Sequence, residues 1–266
     1  MPLSIDLKNC GALVTGVTSG IGAGIAEELA RAGCDVTGCG LEKLTDDAVK
    51  RFQSSVGARG SKAHFLPCDL QKPDAPAELV KFAAKAMGGI DLVVSCAGRN
   101  VFEGVDECSE KDWRDCLEIN LASHWRLAKA ARPWLEKAKA PVFIVINSNQ
   151  AFRTLAGCFP YNTAKAGLLG LVQSLAIEWG PQIRAVGIAP GFIDTPGNDS
   201  WFNGFPDPAA ERQRTEALHP VGRIGTPREI GGLCAFLASS YAAFISGVTL
   251  PVDGGRSALL QDSSNI

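Results

Sequence analysis

Seven short apolar runs alternate along this chain with segments whose apolar residues recur at helical spacing, and that alternation limits the possible folds severely. The runs lie near residues 10–15, 34–39, 62–67, 90–95, 141–147, 183–189 and 247–252. The helical patterns lie near 20–32, 43–56, 74–87, 109–137, 159–179 and 226–239. Regular alternation of this kind requires right-handed crossovers and a parallel sheet covered on both faces. The expected fold is therefore α/β, a doubly wound parallel sheet of seven strands. No linker or repeat divides the chain, so residues 1–266 are expected to form a single domain. The proline- and glycine-rich stretch from Pro190 to Pro208 breaks the pattern, and the segment 192–220 reads as a mobile lid.

Composition narrows the classes further. With 266 residues and 46% hydrophobic content the chain can bury one sizeable core. A net charge of −2 points to neither nucleic acid nor an anionic membrane surface. The opening Met1-Pro2-Leu3-Ser4-Ile5-Asp6-Leu7-Lys8 lacks a basic stretch followed by an apolar core, and no apolar run is long enough to span a bilayer. A soluble, cytoplasmic protein is expected. Nine cysteines include no Cys-x-x-Cys pair, and His64, His124 and His219 show no metal-ligand spacing, so no metal site is expected. The cysteines read as small apolar residues in a reducing compartment, with Cys96 and Cys158 the candidates for a reactive thiol.

Leu13-Val14-Thr15 closes the first apolar run. Gly16-Val17-Thr18-Ser19-Gly20-Ile21-Gly22 follows and leads into helical periodicity through Ile25, Ala26, Leu29 and Ala30. Strand, glycine-rich turn and helix form the context that dinucleotide binding requires. Small residues let a pyrophosphate approach the backbone, and a helix amino terminus offers unpaired N–H groups to its charge. The spacing is Gly-x3-Gly-x-Gly, not the commoner Gly-x-Gly-x2-Gly, and alone these glycines could serve only a tight turn.

A second motif is independent of the first. Tyr161 and Lys165 stand four residues apart at the start of a helical pattern, which places phenol and ammonium on one face. A free tyrosine, with a pKa of about 10, is a poor base, and a cation held against it favours the phenolate. Ser148 follows the apolar run Val142–Ile146 and so sits at a strand's carboxyl end, where open α/β sheets place their ligands. The three together could move a proton on or off an alcohol oxygen. A tyrosine–lysine pair at this spacing is common on helix surfaces, so the glycine loop decides between the two readings.

Given both motifs, the chain resembles the short-chain dehydrogenase/reductase family in its common shorter form, from the strand at Cys10 to Asp253-Gly254-Gly255. The resemblance implies a Rossmann-like sheet and an NAD(P)-dependent oxidoreductase that interconverts a secondary alcohol or sugar hemiacetal and its carbonyl by hydride transfer. It makes Asn120, Ser148, Tyr161 and Lys165 the catalytic positions. Tyr161 is the general acid/base, Ser148 the hydrogen-bonding partner of the substrate oxygen, and Lys165 the holder of the phenolate and of the nicotinamide ribose. Asn120, within a long helix from Trp113 to Leu135, is either a polar residue on a wet face or the start of a water-linked proton relay. Cofactor contacts are implied at Gly16, Ser19, Gly20, Ile21 and Gly22, at Gly40 and Leu41, and at Asp69 and Leu70. They continue at Ala97 and Gly98, at Tyr161 and Lys165, and at Pro190, Gly191, Ile193 and Thr195. Asp69 could instead serve a turn or cap a helix, and Thr195 could simply cap a turn. Ser95 departs from the family's Asn-Asn-Ala-Gly, which puts direct cofactor contact there in doubt.

The cofactor is NAD or NADP. NAD-using relatives usually carry an acid at the place of Gly40, and NADP users a basic residue at Leu41 or Ser19; this chain has neither. Glu42 nearby would poorly accommodate a phosphate, so NAD is favoured. Asn149, Gln150 and Arg153 suit a sugar, polyol or hydroxy acid. Trp201, with Phe202 and Phe205, would suit a ring or apolar tail, or would only pack the lid shut. The competing readings are a reductase of a more apolar or aromatic ketone, a non-catalytic dinucleotide-binding regulator, and an isomerase or epimerase. Partners implied are a small-molecule substrate, no nucleic acid and no membrane. The resemblance also implies a homotetramer or homodimer through helices 109–137 and 159–179 and the last strand. The tail Gln261–Ile266 could cover the pocket or hang free.

Overall fold

The computed structural model describes residues 4–259, so the tail Gln261–Ile266 lies outside the described residues. Seven strands form one wholly parallel sheet: β1 (Gly11–Thr15), β2 (Asp35–Gly40), β3 (Ala63–Pro67), β4 (Leu92–Ser95), β5 (Val142–Ile146), β6 (Arg184–Pro190) and β7 (Thr249–Val252). Their spatial order is β3-β2-β1-β4-β5-β6-β7. The order reverses between β1 and β4, and that switch point opens a crevice at the strands' carboxyl ends. The strands lie within a few residues of the expected runs.

Period-two alternation along each strand builds two cores. Ala12 and Val14 of β1 and Val142, Ile144 and Ile146 of β5 face one side; Leu13, Phe143 and Val145 face the other. The first side is covered by α1 (Gly20–Arg31), α2 (Asp47–Gly57) and α9 (Pro227–Ala238). The second is covered by α3 (Ala75–Met87), α5 (Ser123–Leu135) and α6 (Tyr161–Trp179). On α6 the buried residues Leu168, Val172, Leu175 and Trp179 recur at helical spacing, while Ile177 stays exposed.

Two expectations require correction. The helix expected across Trp113–Leu135 runs unbroken but is not α-helical throughout: α4 (Glu110–Leu117) passes through a π-helical turn at Glu118–Ala122 into α5. Such wide turns concentrate at functional sites, and Asn120 lies in the middle of this one. The segment 192–220, read from sequence only as a lid with no helix assigned to it, contains regular structure. It holds α7 (Pro196–Phe202) and α8 (Pro208–Ala217). Each opens with a capping side chain followed by proline: Thr195 accepts from the Asn198 N–H, and Asp207 from the Ala210 N–H. Proline is well tolerated at the first helical position, so here it starts helices instead of breaking them. Both are short and mostly polar, which hides them from a periodicity reading.

Arg212 of α8 ties this segment together, pairing with Asp194 at 2.7 Å, Glu216 at 3.3 Å and Asp199 at 3.5 Å. Trp201 packs against Phe192, Phe202 and Phe205, with ring centroids 4.7–5.3 Å apart. Among the described residues no helix is long and apolar enough to cross a membrane.

Candidate active site

The crevice begins at the loop between β1 and α1. Gly16 and Gly20 take φ values of +75° and +54°, a region that side chains disfavour. A side-chain carbon at Gly22 would collide with the Gly16 carbonyl oxygen, so α1 closes tightly on the loop only because nothing is there. The helix has no side-chain cap and no acid in its first turn, which leaves its first N–H groups to an anionic ligand. Ser19 is the N-cap residue with extended backbone, and Ile21 is half-buried.

The loop after β4 is anchored from below. Thr15 Oγ1 accepts from the N–H groups of Cys96 at 2.8 Å and Ala97 at 2.9 Å. The Ser95 hydroxyl turns instead to His124 Nδ1, 2.7 Å away, and so serves the fold beneath the crevice. Burial, with Lys165 nearby, holds the His124 imidazole well below its ordinary pKa. The thiol of Cys96 is pushed up to about 12 by burial, which removes it as a nucleophile near neutral pH. Cys158 is buried.

Gly98 is where the groups from separate elements meet. A side-chain carbon there would lie 2.7 Å from Asn120 Oδ1 and 3.8 Å from Lys165 Nζ. Asn120 is 0% exposed, which overturns the wet-face alternative. Its amide exchanges hydrogen bonds with the Arg99 backbone: Oδ1 accepts from N at 3.1 Å, and Nδ2 donates to O at 3.0 Å. Lys165 is buried and donates to the Ile146 carbonyl at 3.1 Å, on the strand that ends just before Ser148. Its ammonium lies 5.5 Å from the centre of the Tyr161 ring.

The electrostatics differ from the expectation. Burial pushes the Tyr161 phenol up to about 12, with the Ser148 hydroxyl pulling the other way. Burial also drives Lys165 down to about 8. Both shifts disfavour charge, as a low-dielectric pocket does. The phenol is therefore protonated at neutral pH, because burial raises its pKa by more than the Ser148 hydroxyl lowers it.

Ser148 Oγ accepts from the Gln150 N–H at 3.1 Å, and the Ser148 N–H is held by Asn147 Oδ1 at 2.9 Å. Gln150 Oε1 and Asn147 Nδ2 are shielded from solvent without a protein partner. Asn149 is half-buried beside them. Arg153 is exposed and bonds the Phe152 carbonyl, so it does not point into this cluster. Phe102 sets its edge on the Tyr161 ring at 5.4 Å, brought there by an isolated bridge to Pro160. Thr195 caps α7 and packs against the glycine loop, where a carbon on Gly20 would lie 3.3 Å from its Cγ2. Pro190 and Ile193 are buried, and Gly191 packs so closely on Asp253 that a side chain would clash.

At the opposite end, Asp69 Oδ1 accepts from the Gln71 N–H at 3.1 Å and thus shapes the turn after β3, and Leu70 is buried beneath it. Leu41 is 77% exposed. Glu42 folds back over Gly40 toward the glycine loop.

Phe102 and Asn147 are the additions to the residues named from sequence, while Thr15, named there only as part of the first motif, proves to anchor the loop after β4. Asn147 was adjacent to the second motif and could have been suspected on that ground. Phe102 lies in a loop with no periodic signal and is placed only by tertiary contact.

A doubly wound sheet with a glycine-lined crevice at its switch point, and a tyrosine, lysine and serine at the far end, defines a dinucleotide-dependent oxidoreductase. A family model described as enoyl-(acyl carrier protein) reductase matches residues 16–257. The human dehydrogenase/reductase SDR family member 4 is 35% identical over 252 residues, covering 94% of this chain and 88% of that protein. The 2-dehydro-3-deoxy-D-gluconate 5-dehydrogenase of Escherichia coli is 33% identical over 257 residues, covering 95% and 97%. The solved aldohexose dehydrogenase of Thermoplasma acidophilum superposes with a TM-score of 0.88 at 28% identity, covering 98% of this chain and 99% of that one. The chain belongs to the short-chain dehydrogenase/reductase family and is an oxidoreductase. The glycine cradle and the uncapped helix fit the family's NAD(P).

Proposed function

We propose that the protein is an NAD-preferring dehydrogenase of a sugar, polyol or related hydroxylated small molecule, with Tyr161 as general acid/base. The observation that carries this reading is the meeting of Asn120 and Lys165 at Gly98, with the lysine ammonium 5.5 Å from the centre of the Tyr161 ring. The nicotinamide, when bound, supplies or accepts the hydride. The Ser148 hydroxyl orients the substrate oxygen. Tyr161 gives that oxygen its proton in reduction and takes it in oxidation. Buried Lys165 supplies the positive charge that offsets a phenolate as it forms. Asn120, held by both polar groups of Arg99, keeps the π-helical turn in place beside the lysine and so guards the start of a proton relay.

A hydroxylated substrate is supported by Gln150 Oε1, an acceptor beside Ser148 that lacks a protein partner. The sugar-directed dehydrogenases of Escherichia coli and Thermoplasma acidophilum to which the chain is similar support the same class. A more apolar ketone is the second reading, favoured by Phe102, which lies edge-on to Tyr161 and remains 43% exposed. The helices at 196–217 act in this reading as a lid, with Arg212 as its tie. Trp125 on α5, Ile177 on α6 and Phe244 before β7 are exposed, which supports a homotetramer or homodimer.

A panel of aldoses, polyols, hydroxy acids and aromatic ketones, each assayed with NAD(H) and NADP(H), tests the proposal. Turnover of at least one polyhydroxylated substrate, abolished in Tyr161→Phe, is expected. Turnover confined to the aromatic ketones would overturn the substrate class, and full turnover by Tyr161→Phe would overturn the mechanism.

A further inference from the structure

All nine cysteines are free, and two pairs of them come together at neighbouring strand ends. Cys10 and Cys34 lie just before β1 and β2, and burial pushes both thiols up, which keeps them inert. Cys39 and Cys68, at the carboxyl ends of β2 and β3, are different. Cys39 pairs across the ladder with Leu66 and Gly40 with Pro67, and the Cys68 N–H donates to the Gly40 carbonyl at 2.8 Å. Cys68 is thus the diagonal neighbour of Cys39, and both join the core on the α3 side of the sheet. Cys39 is 1% exposed, whereas Cys68 is half-buried, its Sγ 3.7 Å from the carbonyl of Ala75 at the start of α3. The Cys39 thiol holds Cys68 below its ordinary pKa, with help from Lys72 and against burial and the carboxylates of Glu78 and Asp69. The same contact, and then burial, pushes Cys39 up. One thiol is therefore the more reactive, and the other stands beside it.

Cys39 also seats the glycine loop. Its carbonyl accepts from the N–H groups of Gly16 at 2.9 Å and Val17 at 3.2 Å. The Val17 side chain packs on Gly38 so closely that a side-chain carbon there would collide with it. A shift at the end of β2 is passed directly to the loop.

We propose that hydrogen peroxide joins Cys39 and Cys68 in a disulfide that reversibly weakens dinucleotide binding. The Cys68 sulfur attacks one peroxide oxygen, the O–O bond breaks, and a water leaves. The Cys39 sulfur then attacks the sulfenic acid so formed; an S–S bond forms, the S–O bond breaks, and a second water leaves. The two thiols lose two electrons, the peroxide gains them, and both thiol protons end in the waters. Diagonal neighbours on paired strands stand farther apart than a disulfide spans, so closing the bond draws the strand ends together. The Cys39 carbonyl moves with them, and Gly16 and Val17 lose their anchor. The weakening rests on the dinucleotide reading of the crevice given above; the cross-link does not.

The full chain, reduced with dithiothreitol, freed of it and treated with equimolar hydrogen peroxide, tests this. Peptide mass spectrometry is expected to find a linked pair carrying Cys39 and Cys68. Calorimetry is expected to show NAD+ and NADP+ binding weakened about tenfold by the treatment and restored by dithiothreitol. Cys68→Ser holds its affinity through the same treatment, and Cys39→Ala instead accumulates a dimedone-reactive sulfenic acid at Cys68. No link, or a link only elsewhere, such as Cys10 with Cys34, overturns the assignment. A Cys39–Cys68 link that leaves affinity unchanged overturns the switch, as does a loss of affinity that persists in Cys68→Ser. Failure of the switch alone leaves the dehydrogenase reading standing. If the reduced protein binds neither dinucleotide, both fall.

Discussion

The two ends of the crevice offer a ligand different things. At the β1–α1 end the groups presented are backbone: a loop with Gly16 and Gly20 in left-handed conformations, and a helix start that no side chain caps. At the β5–α6 end they are side chains, and Asn120, Ser148 and Lys165 are all buried. A backbone cradle works by the absence of side chains, so its tolerance is steric. A buried polar cluster works by protonation and hydrogen bonding, so it answers to pH, charge and dielectric. The second end also costs the fold something. Lys165 is held at about 8 against its ordinary 10.5, because burial penalises its charge.

Substitutions can test that contrast at either end. The largest effect is expected at Tyr161→Phe, where kcat falls by about 10²–10⁴-fold with dinucleotide affinity retained, read by steady-state kinetics and calorimetry. Gly22→Ala should do the reverse at the other end. Its collision with the Gly16 carbonyl removes dinucleotide binding and lowers thermal stability by about 1–3 kcal/mol, measured by denaturant unfolding.

Lys165→Met separates function from stability. Turnover is lost, yet the melting temperature at pH 7 rises, because a buried charge is replaced by a side chain that packs without one. The pH dependence has a definite sign. Between about 8 and the ordinary 10.5 the unfolded chain binds the lysine proton more tightly than the folded one. The lysine's penalty is therefore full below pH 8 and shrinks as pH climbs toward 10.5. The stability gained by Lys165→Met should shrink over the same window. A gain that does not change between pH 7 and pH 10 would refute the burial account.

A smaller pH effect follows on rate. Reduction needs a protonated phenol and a charged lysine, so kcat/KM for the carbonyl is expected to fall as pH rises past about 8. Oxidation, which needs the phenolate, should still be gaining at that pH, since burial sets the phenol at about 12. The smallest effect is expected at Arg212→Ala, which unties α8 from Asp194 and Asp199. Because these pairs are partly exposed, KM should rise only about two- to fivefold with kcat nearly unchanged.

Much of the architecture could be read from residue pattern. Val142-Phe143-Ile144-Val145-Ile146 is apolar on both faces and so announces a central strand, as it proved to be. The glycine loop announces its own turn, since Gly22 admits no side chain. The helices α7 and α8 were not visible, because Pro196 and Pro208 look like breakers until their capping neighbours Thr195 and Asp207 are seen to start a helix. The π-helical turn at Asn120 was also hidden, as one extra residue in a turn leaves the apolar spacing nearly intact.

The order of strands and helices, the glycine cradle and the pairing of Tyr161 with Lys165 on one helix face follow from local spacing, because periodicity and steric size act over a few residues. Other facts come from packing between distant segments. The protonated state of the phenol depends on what buries it, Ser95 is bound to His124 from another element, and Phe102 reaches Tyr161 through a loop. Glu42 lies over Gly40 only once the strand end and the glycine loop have docked. Solvent exclusion and through-space electrostatics depend on neighbours that are far away along the chain, so no window of sequence contains them.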